Sequence, residues 1–266
     1  MPLVRAKELP EWYTTYPYIS HGYRGVLNPY DAFLSMFQWH NETLNIYTHL
    51  FTGFFYLWKL YTSSIKGTGE YWFLVNMAYF GATLMGISSG FAHTFSVVDK
   101  DWKINSWKFD FIGIISINYV HHLLDTFLIT KGLLESRMYC VIGFVLVSSF
   151  ALFCVYRILV GEYIVGRYWG FIYPAVTCIP FTMPLYVYVR MIDSSDLIKD
   201  ITQDSMNCSF FIIVSGVVFF KGHVPERFWN PYGIFNYLNS HVFHHVCCIL
   251  SIIYGFKSLP KLSYID

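Results

Sequence analysis

Three histidines and one aspartate, His93, Asp110, His241 and His245, carry the chemistry of a chain that is otherwise apolar. Ionisable groups inside membrane-spanning helices are costly to bury and are usually kept for a function. Three neutral imidazoles with a fourth position left to water are the pattern of catalytic zinc, as opposed to closed structural zinc. A nearby carboxylate such as Asp110 would position the water or orient a histidine from behind. His241 and His245 stand at i and i+4, so their rings project from one face of a helix. His244 shares a face with His241 as well, at i and i+3. Ser89, four residues before His93, is a further hydrogen-bonding candidate on the same helix face as His93.

These residues must be positioned by helices made for lipid. Of 266 residues, 55% are hydrophobic, 21% aromatic and only 13% charged, against about 25% charged in a soluble domain. Seven apolar runs, at 44–63, 71–97, 109–130, 138–160, 169–191, 207–221 and 234–256, mostly approach the roughly 17–25 residues that a bilayer requires. The expected fold is therefore all-α, a seven-transmembrane helix bundle. Residues 1–40 form an interfacial lead-in, 41–257 the helical domain and 258–266 a short tail. The runs are continuously apolar and do not alternate with period two, which argues against a β-barrel. No internal repeat is visible.

Net charge is +1, with no basic cluster dense enough for a nucleic-acid footprint. The N-terminus has no apolar stretch of the signal-peptide kind. Six cysteines (140, 154, 178, 208, 247, 248) lie in or beside apolar runs without C-x-x-C spacing, which reads as packing. Ten of the 18 Lys and Arg fall on the side of the N-terminus and eight on the other, which favours a cytoplasmic N-terminus.

The seven-span layout brings the candidate ligands to one depth. His93 falls near the end of span 2 and Asp110 in the first turn of span 3. His241 falls about seven residues into span 7, or ~10 Å along it. All lie toward the N-terminal side, so an intramembrane zinc site is expected there. A second polar cluster, His121, His122 and Asp125, lies ~17–22 Å further along span 3 than Asp110. It cannot share that site, and a buried His121–Asp125 hydrogen bond is expected. Glu42, Asn45 and His49 recur on one face of span 1, where capping or cross-helix bonding is the expected role and admission of a polar head group the alternative. Trp12, Trp58, Trp72, Trp102 and Trp107 read as interfacial anchors, and Pro180 and Pro184 as a kink in span 5.

Three motifs resemble those of the progestin and adipoQ receptor family. The first is Gly22-Tyr23-Arg24 followed by His40-Asn41-Glu42-Thr43-Leu44-Asn45-Ile46-Tyr47-Thr48-His49-Leu50. The second is Ser89-x-x-x-His93 with Asp110 inside Lys108-Phe109-Asp110-Phe111-Ile112-Gly113. The third is Val224-Pro225-Glu226-Arg227 leading to Ser240-His241 and His244-His245-Val246. In the last, the family's H-x-x-x-H selects His245 over His244. Residues 33–49 look closest to the membrane progestin receptor branch. This chain departs from the family in carrying Leu238-Asn239 where Gly-His is usual.

The resemblance implies zinc held by three histidines near the cytoplasmic leaflet, with the aspartate acting through water. It also implies a receptor for a steroid or other lipid-like ligand. Some members have ceramidase-like activity, so a zinc-dependent hydrolase of a membrane-lipid amide is the alternative. A transporter is disfavoured, since no inverted repeat or broken helix pair is visible.

Overall fold

The computed structural model describes residues 2–13, 15–64, 69–132, 137–161, 172–173, 176, 183–191 and 196–259. Among these the chain is helical apart from one short strand pair. The helices are α1 (Pro29–Ser35), α2 (Thr43–Ser64), α3 (Glu70–Phe95), α4 (Lys100–Gly132), α5 (Arg137–Val160), α6 (Met183–Met191), α7 (Asp196–Val214) and α8 (Ser240–Gly255). A π-helical segment, Ser215–Lys221, continues α7. At 22 residues, α2 is the shortest of the four long helices from α2 to α5, and is ~33 Å long, enough for a bilayer core of about 30 Å.

The packing is that of a protein built for lipid. Phe51, Trp58, Leu146, Leu152 and Phe210 are exposed, while His49, Ser88, Ser89, His93, Asp110, His122 and Asp204 are buried. Without a hydrophobic force between helices in lipid, association rests on close backbone approach and interhelical hydrogen bonds. Gly86 of α3 meets Gly53 of α2 so tightly that an added Cβ would lie 2.5 Å from the Gly53 nitrogen. Gly113 of α4 similarly leaves room only for Ser88 of α3. These crossings lie within a turn of Ser89 and Asp110, so the register of α3 against α4 is set beside the site.

Three helix starts differ from the hydropathy reading. α4 begins at Lys100, nine residues before the apolar run, so Asp110 stands in its third turn and not its first. The extension is capped by Asp99, whose Oδ1 accepts the Trp102 N–H at 2.8 Å. α7 is already helical at Asp196, eleven residues before its run. α8 starts late, at Ser240, after a 3-10 turn Pro231–Asn236. Asn239 caps it, with its Oδ1 accepting from His241 N and Val242 N at 3.1 and 3.2 Å. His241 is therefore in the first turn of α8, not seven residues in. Charge at Lys100, Asp101 and Lys103 ends hydrophobicity but not helix formation.

The lead-in is folded against the bundle. Strands β1 (Val4–Arg5) and β2 (His21–Tyr23) pair antiparallel, and Asn28 with Pro29 starts α1, a favourable cap and first helical residue. Tyr13, Ile19, Tyr23 and Ala32 bury themselves against Val97 and Val98. Pro180 lies outside the described residues, and Pro184 is helical within α6, so the expected kink falls where the preceding residues are not described.

Candidate metal centre

One end of the bundle gathers the start of α2, the end of α3, the first half of α4 and the start of α8. Arg24 of the lead-in is wholly buried there. Its Nη2 donates to the His93 carbonyl at 2.6 Å, and Nη1 donates to the Thr94 carbonyl at 3.1 Å and the Ser35 hydroxyl at 2.8 Å. The guanidinium thus satisfies carbonyls that the end of α3 leaves open. At the head of α8, Glu226 accepts from the Ser240 N–H at 2.8 Å and from the Ser240 hydroxyl. The second and third sequence motifs are therefore joined to the lead-in and the preceding loop by buried hydrogen bonds.

His93, His241 and His245 converge, each offering one ligand atom within 4.8 Å of the others. His93 Nε2 and His241 Nε2 are 3.4 Å apart. The ring centroids are separated by 5.1 Å for His93–His241, 4.9 Å for His93–His245 and 4.5 Å for His241–His245. His244 does not join them. Its ring lies against Phe220, and its Nε2 is 3.8 Å from the Cys248 thiol on the same helix. Asp110 is buried beside His93 with Ser89 as a hydrogen-bond partner, and its Oδ1 has no hydrogen-bond partner among the described residues.

Three further residues reach the site. Glu42, expected to cap, to bond across helices or to admit a head group, makes the cross-helix contact: its Oε2 lies 2.8 Å from His93 Nδ1 and accepts from Asn45 Nδ2 at 2.8 Å. Thr48 Oγ1 lies 3.2 Å from His245 Nδ1. Tyr16 of the lead-in packs its ring 5.4 Å from that of His241. The spacing of Glu42, Asn45 and His49 signalled one buried face, but not which histidines it meets. His49 sits edge-on to His245, with centroids 3.9 Å apart.

The second cluster is separate. His121 is stacked on Phe256 at 4.7 Å, fills the space left by Gly255, and points Nε2 at the Cys208 thiol 3.9 Å away. The side chain of Asp125 lies outside the described residues, so the expected His121–Asp125 bond does too.

Long helices with polar interiors and lipid-facing apolar surfaces, holding a buried histidine triad at one end, define a helical membrane protein with a histidine cluster able to hold a metal ion. Sequence comparison places it more narrowly. The haemolysin-III related family profile matches residues 37–256, and the chain belongs to that family of integral membrane proteins. It is 25% identical over 246 residues to membrane progestin receptor gamma of Homo sapiens, covering 82% of this chain and 68% of that one. It is 25% identical over 276 residues to an uncharacterized protein of Schizosaccharomyces pombe, covering 97% of this chain and 59% of the relative. Heptahelical transmembrane protein 3 of Arabidopsis thaliana is 41% identical over 66 residues, 25% of this chain and 19% of the relative. The chain thus spans less than two thirds of two of these relatives. The similarity to progestin-type and heptahelical proteins agrees with the family resemblance of the motifs.

The donor set fits a transition metal. Imidazoles from two helices face one another, and a buried carboxylate oxygen without a partner among the described residues lies nearby. Unpaired buried polar atoms are uncommon in native structures and call for an ion, a water or a ligand.

Proposed function

We propose that the chain is a seven-transmembrane receptor for a steroid or other lipid-like ligand, with zinc held by His93, His241 and His245 and its N-terminus in the cytoplasm. The observation that carries the metal reading is the convergence of three imidazoles from α3 and α8. The ligand class is supported by the relatives named membrane progestin receptor. Bound zinc would brace α3 to α8 and could polarise a carbonyl at the same place. Buried His, Ser, Thr and Asp line the inside of the bundle while its outside is apolar, so a ligand that partitions into lipid would find its polar partners within.

A second reading, a zinc-dependent hydrolase of a lipid amide, is favoured by one observation. Asp110 Oδ1 is buried beside the triad with no partner among the described residues, and a carboxylate there can take a proton from an attacking water. Ser89 would hold the Asp110 carboxyl in place. Asp110→Asn separates the two readings, because it keeps the shape and removes the base.

Wild type and Asp110→Asn in lipid discs should be given ceramide and, separately, progesterone, with fatty-acid release, steroid binding and zinc content measured. The receptor reading expects no release from either form, and steroid binding that survives the substitution. Release that falls ~10²–10⁴-fold in Asp110→Asn at equal zinc content would replace it with the hydrolase.

A further inference from the structure

The start of α2 supplies no histidine to the triad, yet it touches two of the three. An imidazole that binds a metal through one nitrogen carries its proton on the other, and the partner of that N–H selects the tautomer and aims the ring. His93 Nδ1 lies 2.8 Å from Glu42 Oε2. An ionised carboxylate only accepts, so Nδ1 donates and Nε2 is left with its lone pair. That Nε2 is the atom facing His241 Nε2 at 3.4 Å.

Glu42 is itself held, since Asn45 Nδ2 donates to the same oxygen at 2.8 Å. The backbone of His93 is held from the other side by Arg24 Nη2 at 2.6 Å from its carbonyl. Neither the ring nor its backbone is free to turn away.

His245 repeats the arrangement with a neutral partner. Thr48 Oγ1 lies 3.2 Å from His245 Nδ1. The Thr48 hydroxyl donates back along its own helix, to the Leu44 carbonyl at 2.8 Å with the Asn45 carbonyl at 3.1 Å. With its one proton spent there, the oxygen can only accept from His245 Nδ1–H. Nε2 of His245 is then the ligand atom as well.

We infer that Glu42, directly before α2, and Thr48 within it are positioning residues that fix Nε2 as the metal-facing nitrogen of His93 and of His245. The inference rests on the zinc reading above and deepens it. Glu42 and Thr48 do not touch the metal. Glu42 adds a buried negative charge beside a dication, which Thr48 does not, so the two should differ in size of effect.

The test is the zinc dissociation constant of the full chain, measured by competition with a chelating dye. It is paired with the thermal midpoint of the metal-stripped protein and the visible spectrum of the cobalt form. Glu42→Ala should weaken zinc about 10–100-fold, as loss of such outer partners typically does. Glu42→Gln keeps an acceptor without the charge and should fall between Glu42→Ala and wild type. Thr48→Val should weaken zinc less than Glu42→Ala does, and Thr48→Ser should restore the wild-type constant. Both weakened forms should shift the cobalt spectrum while the metal-stripped midpoint stays put.

If wild type binds zinc and the variants bind it within about twofold, against the 10–100-fold expected, the assignment to Glu42 and Thr48 is overturned alone. A lower metal-stripped midpoint with an unchanged constant and spectrum overturns it too, because that is packing without orientation. Wild type that binds no zinc overturns the inference and the reading beneath it together.

Discussion

Two buried histidine clusters lie in this bundle, and they are put together differently. At the end nearest the lead-in, His93, His241 and His245 turn ring nitrogens toward a common point, and Glu42 and Thr48 occupy the outward nitrogens of two of them. Further along α4, His121 lies flat on Phe256 and fills the space left by Gly255, with the Cys208 thiol 3.9 Å from its Nε2. The first arrangement satisfies the rings from behind and leaves their front atoms facing each other. The second uses the ring as a packing surface. Buried histidine in a membrane span is therefore not one signal but two, and what distinguishes them is the direction of the nitrogens.

The contrast is broken most severely by removing rings. His93→Ala, His241→Ala or His245→Ala should abolish zinc binding, while His121→Ala and His244→Ala should retain it. Metal analysis of the purified variants reads the result. Thermal stability in zinc should fall with the first three, by ~4 kcal/mol when free zinc is a thousandfold above its dissociation constant in wild type. If His244→Ala loses zinc and His245→Ala keeps it, the ligand on α8 has been misassigned.

A gentler break comes from two glycines. Gly113→Ala would drive a methyl into Ser88, and Gly255→Ala would drive one into His121. Each should cost roughly 1–3 kcal/mol of stability through overpacking. Only Gly113→Ala, one turn from Asp110 and against Ser88 beside Ser89, should also weaken zinc. Equal zinc affinity in the two variants would remove the link between the α3–α4 crossing and the site.

A smaller effect sharpens the role of the lead-in. His40 Nδ1 accepts the Glu42 N–H at 3.1 Å, and its Nε2 lies 3.1 Å from the Ser35 carbonyl. Burial first, and then the nearby Arg24 charge, push its pKa down from 6.5 to about 3. The folded form therefore holds His40 neutral, while the unfolded chain takes up a proton near pH 6.5. Stability from this group is full above that value and is lost as pH falls toward 3. Between pH 7 and pH 5 the loss should be about 2 kcal/mol. His40→Gln should be flatter over that range than wild type by a similar amount, measured by thermal unfolding. Parallel pH profiles would show that His40 does not carry this share.

Much of this was legible in the chain, and what was not has identifiable causes. The histidine spacing and the helix count between them placed His93 and the His241–His245 pair at one end, because depth in a bilayer follows from residue number along a helix. The choice of His245 over His244 came from the H-x-x-x-H motif, and the structure turns those two rings to different neighbours. The starts of α4 and α7 were not legible, since hydropathy reports immersion in lipid and not helix formation. Lys100 to Lys108 are charged and helical at once. The start of α8 was also missed, set at 234 by hydropathy, although Asn239 directly before the helix is an N-cap residue type that signals it. The partnership of Glu42 with His93 joins residues 51 apart in sequence. Periodicity showed only that Glu42, Asn45 and His49 share a face, and packing of α2 on α3 decides whom they meet. The folding of the lead-in around Arg24 is likewise a long-range contact, 69 residues from His93.

The central claim is that the triad holds zinc. X-ray absorption at the zinc edge, on protein purified without added metal and quantified per chain, tests it most directly. The account predicts one zinc per chain with nitrogen ligands at about 2.0–2.1 Å, lost in His93→Ala. Absence of zinc in wild type, sulfur ligands, or full occupancy in His93→Ala would contradict it.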